Sequence, residues 1–206
     1  IYYGRNDLAV FLTRKQLGRK PRSKKRKIKR TNIPNRIDID ERPQEANERK
    51  EFGHFEADTI FSRNSSSALL VTVDRLTRRT KIRKLARKTA QQASSQLVFA
   101  LQDYNIIHLK TMTYDNGPEF CYHEKVNEEL KMQSYFCKPY HAWEKGTVEN
   151  INGLIRRFFP KGTNFDNITD EQIQYVENWI NNRPMKILGF KSPNEKLSEL
   201  NVAIAC

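Results

Sequence analysis

Three acidic residues, Asp58, Asp115 and Glu149, could together support metal-dependent chemistry if the fold brings them to one place. Asp58 stands inside a predicted strand, where aspartate is disfavoured, and Asp115 directly follows the strand-like run 109–114. Glu149 lies on a helix predicted over residues 143–162. If the two strands are neighbours and the helix packs at their edge, the three carboxylates converge. They would then repel one another unless a cation neutralised them.

Carboxylates with no His or Cys ligand nearby favour hard, oxygen-preferring Mg²⁺ or Mn²⁺ over zinc. Two such ions, roughly 3.5–4 Å apart, can clamp the attacking and leaving oxygens of an in-line phosphodiester displacement, with water or a 3′-hydroxyl as the nucleophile. For Asp115 an alternative stays open, because the Asn116-Gly117 pair that follows it is also a strong turn signal. The residue types therefore predict a two-metal phosphodiester site, with a simple turn at 115–118 as the alternative.

The cysteines give little support to other chemistry. Cys121, Cys137 and Cys206 form no Cys-x-x-Cys pair, and their odd number argues against a disulfide framework, as expected for a reducing cytoplasm. A zinc site could be built from two of them with His123 and His141. It is the weaker alternative, because the Cys-x-His spacing at 121–123 is tighter than usual ligand pairs.

The net charge of +13 predicts a polyanionic partner, and DNA is the first candidate. From residue 14 to residue 30 the chain carries eleven Lys or Arg and no acid, and this run includes Lys24, Lys25, Arg26 and Lys27. Such a run is typical of a disordered arm, and it predicts sequence-independent contacts with DNA phosphates. An anionic membrane surface is the second candidate for such a charge. No apolar run approaches the ~20 residues of a membrane span, and we expect DNA and no membrane as the partner.

The periodicity of apolar residues predicts a folded core that starts near residue 48. Helical patterns begin near residues 90, 124 and 143, and strand-like patterns cover residues 54–61, 68–74, 80–85, 109–114 and 134–137. Three consecutive strands favour an antiparallel meander, and the later strand–helix–strand steps favour parallel additions. We predict an α/β fold over residues 48–206, with a mixed five-stranded sheet flanked by helices. A basic N-terminal extension over residues 1–47, ending in an extended connector, precedes it.

The predicted helix over 143–162 carries two neighbouring stripes. The apolar stripe consists of Val148, Ile151, Ile155 and Phe158. Beside it, Glu149, Asn152 and Arg156 recur at helical spacing, so a carboxylate, an amide and a guanidinium share one row. This row is either part of the site, with Asn152 and Arg156 near the DNA, or simply the solvated side of the helix.

Four further residues are weaker candidates. His54 shares a strand face with Asp58 by the period of two, so it either supports the site or contacts DNA, or lies on a solvated face of the sheet. Asn116 either belongs to the site or satisfies the turn, and Lys161 either contacts a phosphate or is solvated. Trp143 either stacks on an unpaired base or, as its position favours, packs in the core.

This chain resembles bacterial insertion-sequence transposases of the IS-thirty family in four stretches, which are ERPQEANERKEFGHFEADTI, TYDNGPEF, YFCKPYHAWEKGTVENINGLIRRFFPKGTNF and NNRPMKILGFKSPNE. In that resemblance Asp58, Asp115 and Glu149 match the Asp-Asp-Glu catalytic set that these transposases share with retroviral integrases. Arg156 matches the basic residue usual seven positions after the glutamate. The similarity runs from about residue 33 to residue 200.

The resemblance implies a ribonuclease H-like catalytic core with two divalent metals, Mg²⁺ or Mn²⁺. It also implies hydrolytic nicking at the terminal repeats of a transposon and transfer of the freed 3′-hydroxyl into a target strand. The family's end-recognising region lies N-terminal to this core, so we expect a core fragment in which residues 1–11 are a remnant of that region. Joining two double-stranded DNA ends suggests a homodimer or a larger oligomer on DNA, in the bacterial cytoplasm at the nucleoid.

Two other functions stay open at this point. One is a DNA-binding protein without catalytic activity, and the other is a nuclease that hydrolyses DNA but does not join it. The intact set of three acids favours an enzyme, because a pure binder gains nothing from acids beside phosphate. Hydrolysis alone and strand transfer would use the same residues, so the sequence leaves that choice open.

Overall fold

The fold is built on one five-stranded mixed sheet in the order β3-β2-β1-β4-β5, seen in a computed structural model that describes residues 33–139 and 141–200. The strands are β1 His54–Phe61, β2 Ala68–Asp74, β3 Thr80–Leu85, β4 Thr111–Tyr114 and β5 Gln133–Phe136. The first three form an antiparallel meander, whereas β4 pairs in parallel with β1 and β5 pairs in parallel with β4. The predicted mixed five-stranded sheet is therefore confirmed.

Helices cover both faces of this sheet. The α-helices of the described residues are α1 Gln44–Glu48, α2 Ala90–Leu101, α3 His123–Leu130, α4 Gly146–Phe158, α5 Asp170–Asn182 and α6 Pro193–Glu199. The helix predicted over 143–162 is shorter than expected, because residues 142–145 form a separate 3₁₀ turn and Pro160 disfavours helical backbone at the residue before it. No described helix is both long enough and apolar enough to cross a membrane.

Two hydrophobic cores explain why β2 is apolar along its whole length. On one face, Leu70 and its neighbours pack with the buried residues of α2 and α3. On the other face, Leu69 and Val71 pack with Val148 and Ile151 of α4 and with the apolar side of α5. Because successive strand residues point to opposite faces, a strand buried on both sides loses the alternation of apolar and polar residues.

The segment before β1 is not the extended connector that its polar composition predicted. Residues 39–41 form a 3₁₀ turn, α1 follows, and Ile33 and Ile39 are buried. The buried Arg42 guanidinium donates from Nη1 to Thr113 Oγ1 of β4 at 2.9 Å, which fastens the segment to the sheet. A few spaced apolar residues and one buried arginine thus order a mostly polar stretch.

The basic run with Lys24, Lys25, Arg26 and Lys27 lies outside the described residues. The division of the chain at residue 47 therefore stays a prediction. Within the first of the two predicted regions, the described residues 33–47 lie against the core and include an isolated parallel bridge between Asp38 and Phe136.

Candidate active site

The pairing of β1 with β4 brings two of the predicted acids side by side. In this parallel pair Glu56 lies opposite Thr113. Asp58 comes two residues after Glu56 within β1, and Asp115 comes two residues after Thr113, directly beyond the end of β4, so the two acids lie level at the carboxyl end of β4. This end of an open α/β sheet is where such folds place ligands and chemistry. The predicted neighbourhood of the first and fourth strands is confirmed.

A buried lysine that the sequence did not reveal lies between the two carboxylates. Lys145 Nζ is 3.3 Å from Asp58 Oδ1 and 3.5 Å from Asp115 Oδ2, and it donates to the carbonyl oxygen of Ala57 at 3.0 Å. Its side chain is only 6% exposed. Burial opposes its charge, yet the attraction of the two aspartates outweighs burial and raises the pKa of Lys145. The ammonium therefore offsets one of the two negative charges of this pair of acids.

The environment of Asp58 is partly desolvated. Burial raises the pKa of its carboxyl group, and the charge of Asp115 raises it further, whereas Lys145 and the amide of Thr59 oppose that rise. Its Oδ1 accepts a hydrogen bond from Thr59 N at 2.9 Å, and its Oδ2 accepts one from Asn152 Nδ2 at 2.8 Å. The site thus holds Asp58 in one orientation through a strand amide and a helix side chain.

Helix α4 packs on β1 so that its row of polar residues lies next to Asp58. Its backbone amide at Val148 donates to Glu56 Oε2 at 2.9 Å, and Glu56 Oε1 pairs with Arg75 Nη1 at 2.6 Å. Glu56 is fully buried, so it fixes the first turn of α4 to the centre of the sheet. Asn152, two turns into the helix, then reaches Asp58, which places the polar row of α4 at the two aspartates.

Glu149 lies on the same row, one helical turn before Asn152, and it is exposed. Among residues 33–139 and 141–200, no group of three or more His, Cys, Asp or Glu side chains is close enough to hold a metal ion. The described conformation therefore brings Asp58 and Asp115 together and places Glu149 on the helix beside them, without closing a three-acid cluster.

The other candidates on the polar row and beyond it bond mainly to the backbone. Arg156 Nη2 donates to the carbonyl of Phe61 at 2.9 Å, which ties α4 to the end of β1. Asn116 Nδ2 donates to the carbonyl of Cys137 at 2.7 Å, which joins the loops that follow β4 and β5. Lys161 is exposed just beyond α4. Arg156 and Asn116 thus connect neighbouring elements, and the roles near DNA expected for Arg156, Asn116 and Lys161 stay predictions.

The strand face that carries His54 is not solvated. His54 is buried, and its ring bonds with Thr111 Oγ1 through Nδ1 and with Glu51 Oε1 through Nε2, both at 2.8 Å. Glu56, two residues further along the same face, is also buried. Because His54 is enclosed by Thr111 and Glu51, the alternative of a solvated face is wrong at this residue. Its support of the site stays a prediction.

Trp143 is not part of the core either. Its side chain is 70% exposed and stacks on the ring of His141 with a centroid distance of 4.3 Å. The loop that carries it is held by Glu144, whose Oε2 accepts a hydrogen bond from Lys138 N at 2.8 Å. The predicted core position of Trp143 was wrong because the 3₁₀ turn at 142–145 buries Lys145 and directs Trp143 outward.

Comparison with known proteins shows similarity to transposases and to an integrase core. Residues 48–142 match the family model described as "Integrase core domain". The chain is 48% identical over 169 residues to the transposase for insertion sequence element IS4351 of Bacteroides fragilis, covering 82% of this chain and 51% of that protein. It is 35% identical over 173 residues to the transposase InsI for element IS30C of Escherichia coli K12, covering 84% and 45%. The chain thus spans about half the length of these curated relatives.

Solved structures support the fold. The catalytic core domain of BIV integrase aligns with a TM-score of 0.55 at 18% identity, covering 72% of this chain and 95% of that chain. A chain of the simian T-cell lymphotropic virus intasome, solved in complex with PP2A regulatory subunit B56 gamma, aligns with a TM-score of 0.57 at 22% identity, covering 70% and 54%. The expected ribonuclease H-like fold is confirmed by these neighbours.

Proposed function

We propose, from the premise that this chain belongs to the insertion-sequence transposases with an integrase core, that it is the catalytic core of a divalent-metal-dependent DNA transposase. It would hydrolyse a phosphodiester bond at the ends of a transposon and then transfer the freed 3′-hydroxyl into a target strand. One observation carries the proposal. Asp58 of β1 and Asp115, which directly follows β4, share a single buried ammonium, that of Lys145.

The residues present fit a divalent cation. The donors are carboxylate oxygens, which Mg²⁺ and Mn²⁺ prefer, and the side chains of Asp58 and Asp115 are 21% and 44% exposed, so an ion can reach them. In addition, Asn152 Oδ1 is buried beside Asp58 without a hydrogen-bond partner among the described residues. We propose that Asp58, Asp115 and Glu149 hold two such ions. When bound, these ions would supply charge stabilisation at the reacting phosphate.

The chain's own groups would prepare the site for this role. Glu56 and Arg75 anchor the first turn of α4, so that Glu149 and Asn152 lie on the helix face next to Asp58. Lys145 would keep the two aspartates from repelling each other before cations arrive. The open side of Asp115 is where a DNA strand would approach.

The DNA contacts would come from basic groups around this site. With a net charge of +13, the chain attracts DNA at long range. We propose that the arm with Lys24, Lys25, Arg26 and Lys27 binds phosphates without reading sequence, and that Lys161 and Arg156 line the path near the end of α4. The partners would be transposon ends and target DNA, in the bacterial cytoplasm.

Two DNA ends must be joined in one reaction, so we propose a homodimer or a larger oligomer on DNA. Analytical ultracentrifugation of the protein with end DNA would measure the stoichiometry. One protomer per complex at saturating DNA would overturn this part of the proposal.

The experiment that tests the function is a cleavage and joining assay. Labelled duplex DNA with the element's terminal repeats is incubated with the full-length protein in Mg²⁺, in Mn²⁺ or in EDTA, together with a target plasmid. Nicked ends and joined products that require the metal are expected. Nicked ends without joined products would favour a nuclease, and tight binding without any cleavage would favour a DNA-binding protein.

Replacing Lys145 by Met tests its role in the cation-free site. The substitution leaves Asp58 and Asp115 facing each other, and we expect it to lower the free energy of unfolding by about 3 kcal/mol in EDTA, since breaking a buried ion pair costs roughly 3–5 kcal/mol. Mn²⁺ should then raise the melting temperature more in the variant than in the parent, because the cation replaces the lost positive charge. Thermal unfolding with and without Mn²⁺ measures both effects.

The exposed Lys161 provides the matched control, since Lys161→Met removes the same charge from the far end of α4. It should change neither the stability in EDTA nor the response to Mn²⁺ by more than a few tenths of a kcal/mol. An equal response to Mn²⁺ in Lys145→Met and in the parent would contradict the role given to Lys145.

A further inference from the structure

Glu119 is a fourth carboxylate near the two aspartates, in addition to the three acids proposed to hold the metal ions. Glu119 belongs to the 3₁₀ turn Pro118–Phe120 that follows β4, and only 3% of its surface is exposed. Its Oε1 accepts a hydrogen bond from Thr59 Oγ1 at 2.7 Å and pairs with Lys88 Nζ at 2.8 Å. Thr59 is the neighbour of Asp58 on β1, so Glu119 is bonded directly to the strand that carries the first acid.

The second oxygen of Glu119 is the informative atom. Oε2 is buried and has no hydrogen-bond partner among the described residues. Leaving a buried polar group unsatisfied costs about 1–3 kcal/mol, and more when the group is charged. Both partners of Glu119 bind Oε1, so an ion pair with Lys88 alone does not account for the position of Oε2.

Gly117 shows which way this oxygen points. A Cβ atom built on Gly117 would lie 2.6 Å from Glu119 Oε2 and 2.9 Å from Asp115 Oδ1. Both carboxylate oxygens therefore border the small space beside Gly117, and their separation is less than the sum of these two distances. Two oxygens that bind one Mg²⁺ are each ~2.0–2.1 Å from the ion, so a single cation can contact both after a small side-chain movement.

We propose that Glu119 is an additional acidic residue of the divalent-cation site and that its Oε2 binds the cation held by Asp115. This inference rests on the proposed function, because it assumes that Asp115 holds a metal ion. A cation at this position would satisfy the unpartnered oxygen and would also offset the repulsion between the two carboxylates that border Gly117. The absence of a side chain at residue 117 is what leaves room for it.

The test is a direct measurement of Mn²⁺ binding by the chain without DNA, by isothermal titration calorimetry and by the electron paramagnetic resonance signal of free Mn²⁺. Glu119→Gln keeps an oxygen that can accept from Thr59 and Lys88 but places an NH₂ group toward Asp115. We expect at least about tenfold weaker Mn²⁺ binding, since changes of residues that support metal ligands typically cost 10–100-fold. Glu128→Gln, an exposed acid on α3, removes the same charge and should bind Mn²⁺ like the parent.

A second variant, Gly117→Ala, tests the same pair of carboxylate oxygens without changing either acid. Gly117 has φ −71° and ψ 140°, which alanine adopts without backbone strain. The added Cβ would lie 2.6 Å from Glu119 Oε2 and 2.7 Å from its carboxyl carbon, so the Glu119 carboxylate must move. We expect at least about tenfold weaker Mn²⁺ binding, together with a lower melting temperature in EDTA because the bonds of Glu119 with Thr59 and Lys88 are strained. A parent-like circular-dichroism spectrum would show that the variant is folded.

The outcomes separate this inference from the function on which it rests. Weaker Mn²⁺ binding in Asp115→Asn, Glu119→Gln and Gly117→Ala supports both. Weaker binding in Asp115→Asn alone overturns the role of Glu119 and leaves the metal site in place. Parent-like binding in all three, including Asp115→Asn, overturns the metal site itself.

Discussion

Replacing Asp58 by Asn is expected to reduce metal-dependent cleavage of transposon-end DNA at least about a thousandfold, with little change in DNA binding. A carboxylate that holds a metal ion contributes several kcal/mol of transition-state charge stabilisation, and about 4 kcal/mol corresponds to a factor of a thousand in rate. The amide is a poor ligand for Mg²⁺ compared with the carboxylate. The loss should therefore appear in kcat rather than in the affinity for DNA.

The structure indicates that Asp58→Asn should fold well. The amide oxygen can still accept the hydrogen bond from Thr59 N, and the new NH₂ group would face Asn152. Rotation of the Asn152 amide would then direct its unpartnered Oδ1 toward that NH₂ group. A loss of activity could therefore be assigned to lost metal binding, because the local hydrogen bonds can be rebuilt.

Three comparisons complete this experiment. Asp115→Asn and Glu149→Gln should show losses of similar size, and Asp170→Asn, an exposed residue in the first turn of α5, should cleave like the parent. DNA binding of every variant is followed by fluorescence anisotropy in Ca²⁺-free buffer with EDTA. Parent-like cleavage by Asp58→Asn or Asp115→Asn would sink the assigned site. Parent-like cleavage by Glu149→Gln alone would leave a site based on the two aspartates.

Much of this site could be predicted because it depends on strand order. Alternating and continuous apolar patterns located β1 and β2 with their observed bounds, His54–Phe61 and Ala68–Asp74. A helix between two strands requires a crossover, and the crossover that follows the meander allows β4 to lie beside β1 in parallel. Once β4 pairs with β1 in this register, Asp58 and Asp115 lie side by side, and no other feature of the fold is needed to place them there.

Lys145 and Glu119 could not be predicted in the same way. Each is a charged residue in a short 3₁₀ turn, and residues of this type are usually exposed. Their burial follows from where α4 and the loop after β4 pack, which no local pattern records. The environments of His54 and Trp143 differ from the sequence alternatives for a similar reason, since His54 is enclosed by Glu51 and Thr111 and the turn at 142–145 exposes Trp143.

The buried contacts of Glu56 connect α4 to the sheet, and their loss is expected to cause the second large effect, a loss of stability. Glu56 is fully buried, with Oε1 paired to Arg75 Nη1 at 2.6 Å and Oε2 accepting from Val148 N at 2.9 Å. Arg75 is itself buried and donates from Nε to the carbonyl of Ala46 at 2.8 Å. One carboxylate therefore joins β1, the start of α4 and the segment before the sheet.

Glu56→Gln should lower the free energy of unfolding by about 3–5 kcal/mol, because it leaves the buried Arg75 without a counter-charge. For a domain of this size that corresponds to a melting temperature roughly 10 °C lower. Chemical denaturation at equilibrium measures the change, and Glu45→Gln, an exposed acid on α1, is the control with the same loss of charge. A loss below about 1 kcal/mol would show that the ion pair does not hold the helix in place.

A double-mutant cycle separates the ion pair from the bond to α4. Arg75→Met replaces the buried guanidinium by an apolar side chain, and the pair Glu56→Gln with Arg75→Met should be less destabilised than the sum of the single changes, since no buried charge remains unpaired. The glutamine keeps an oxygen that can still accept from Val148 N, so the bond to α4 can survive in the double variant. The double variant should therefore recover most of the stability and bind Mn²⁺ like the parent. Mn²⁺ binding that stays weak in the double variant would show that the buried ion pair, and not the bond to Val148 N alone, keeps Asn152 and Glu149 in position.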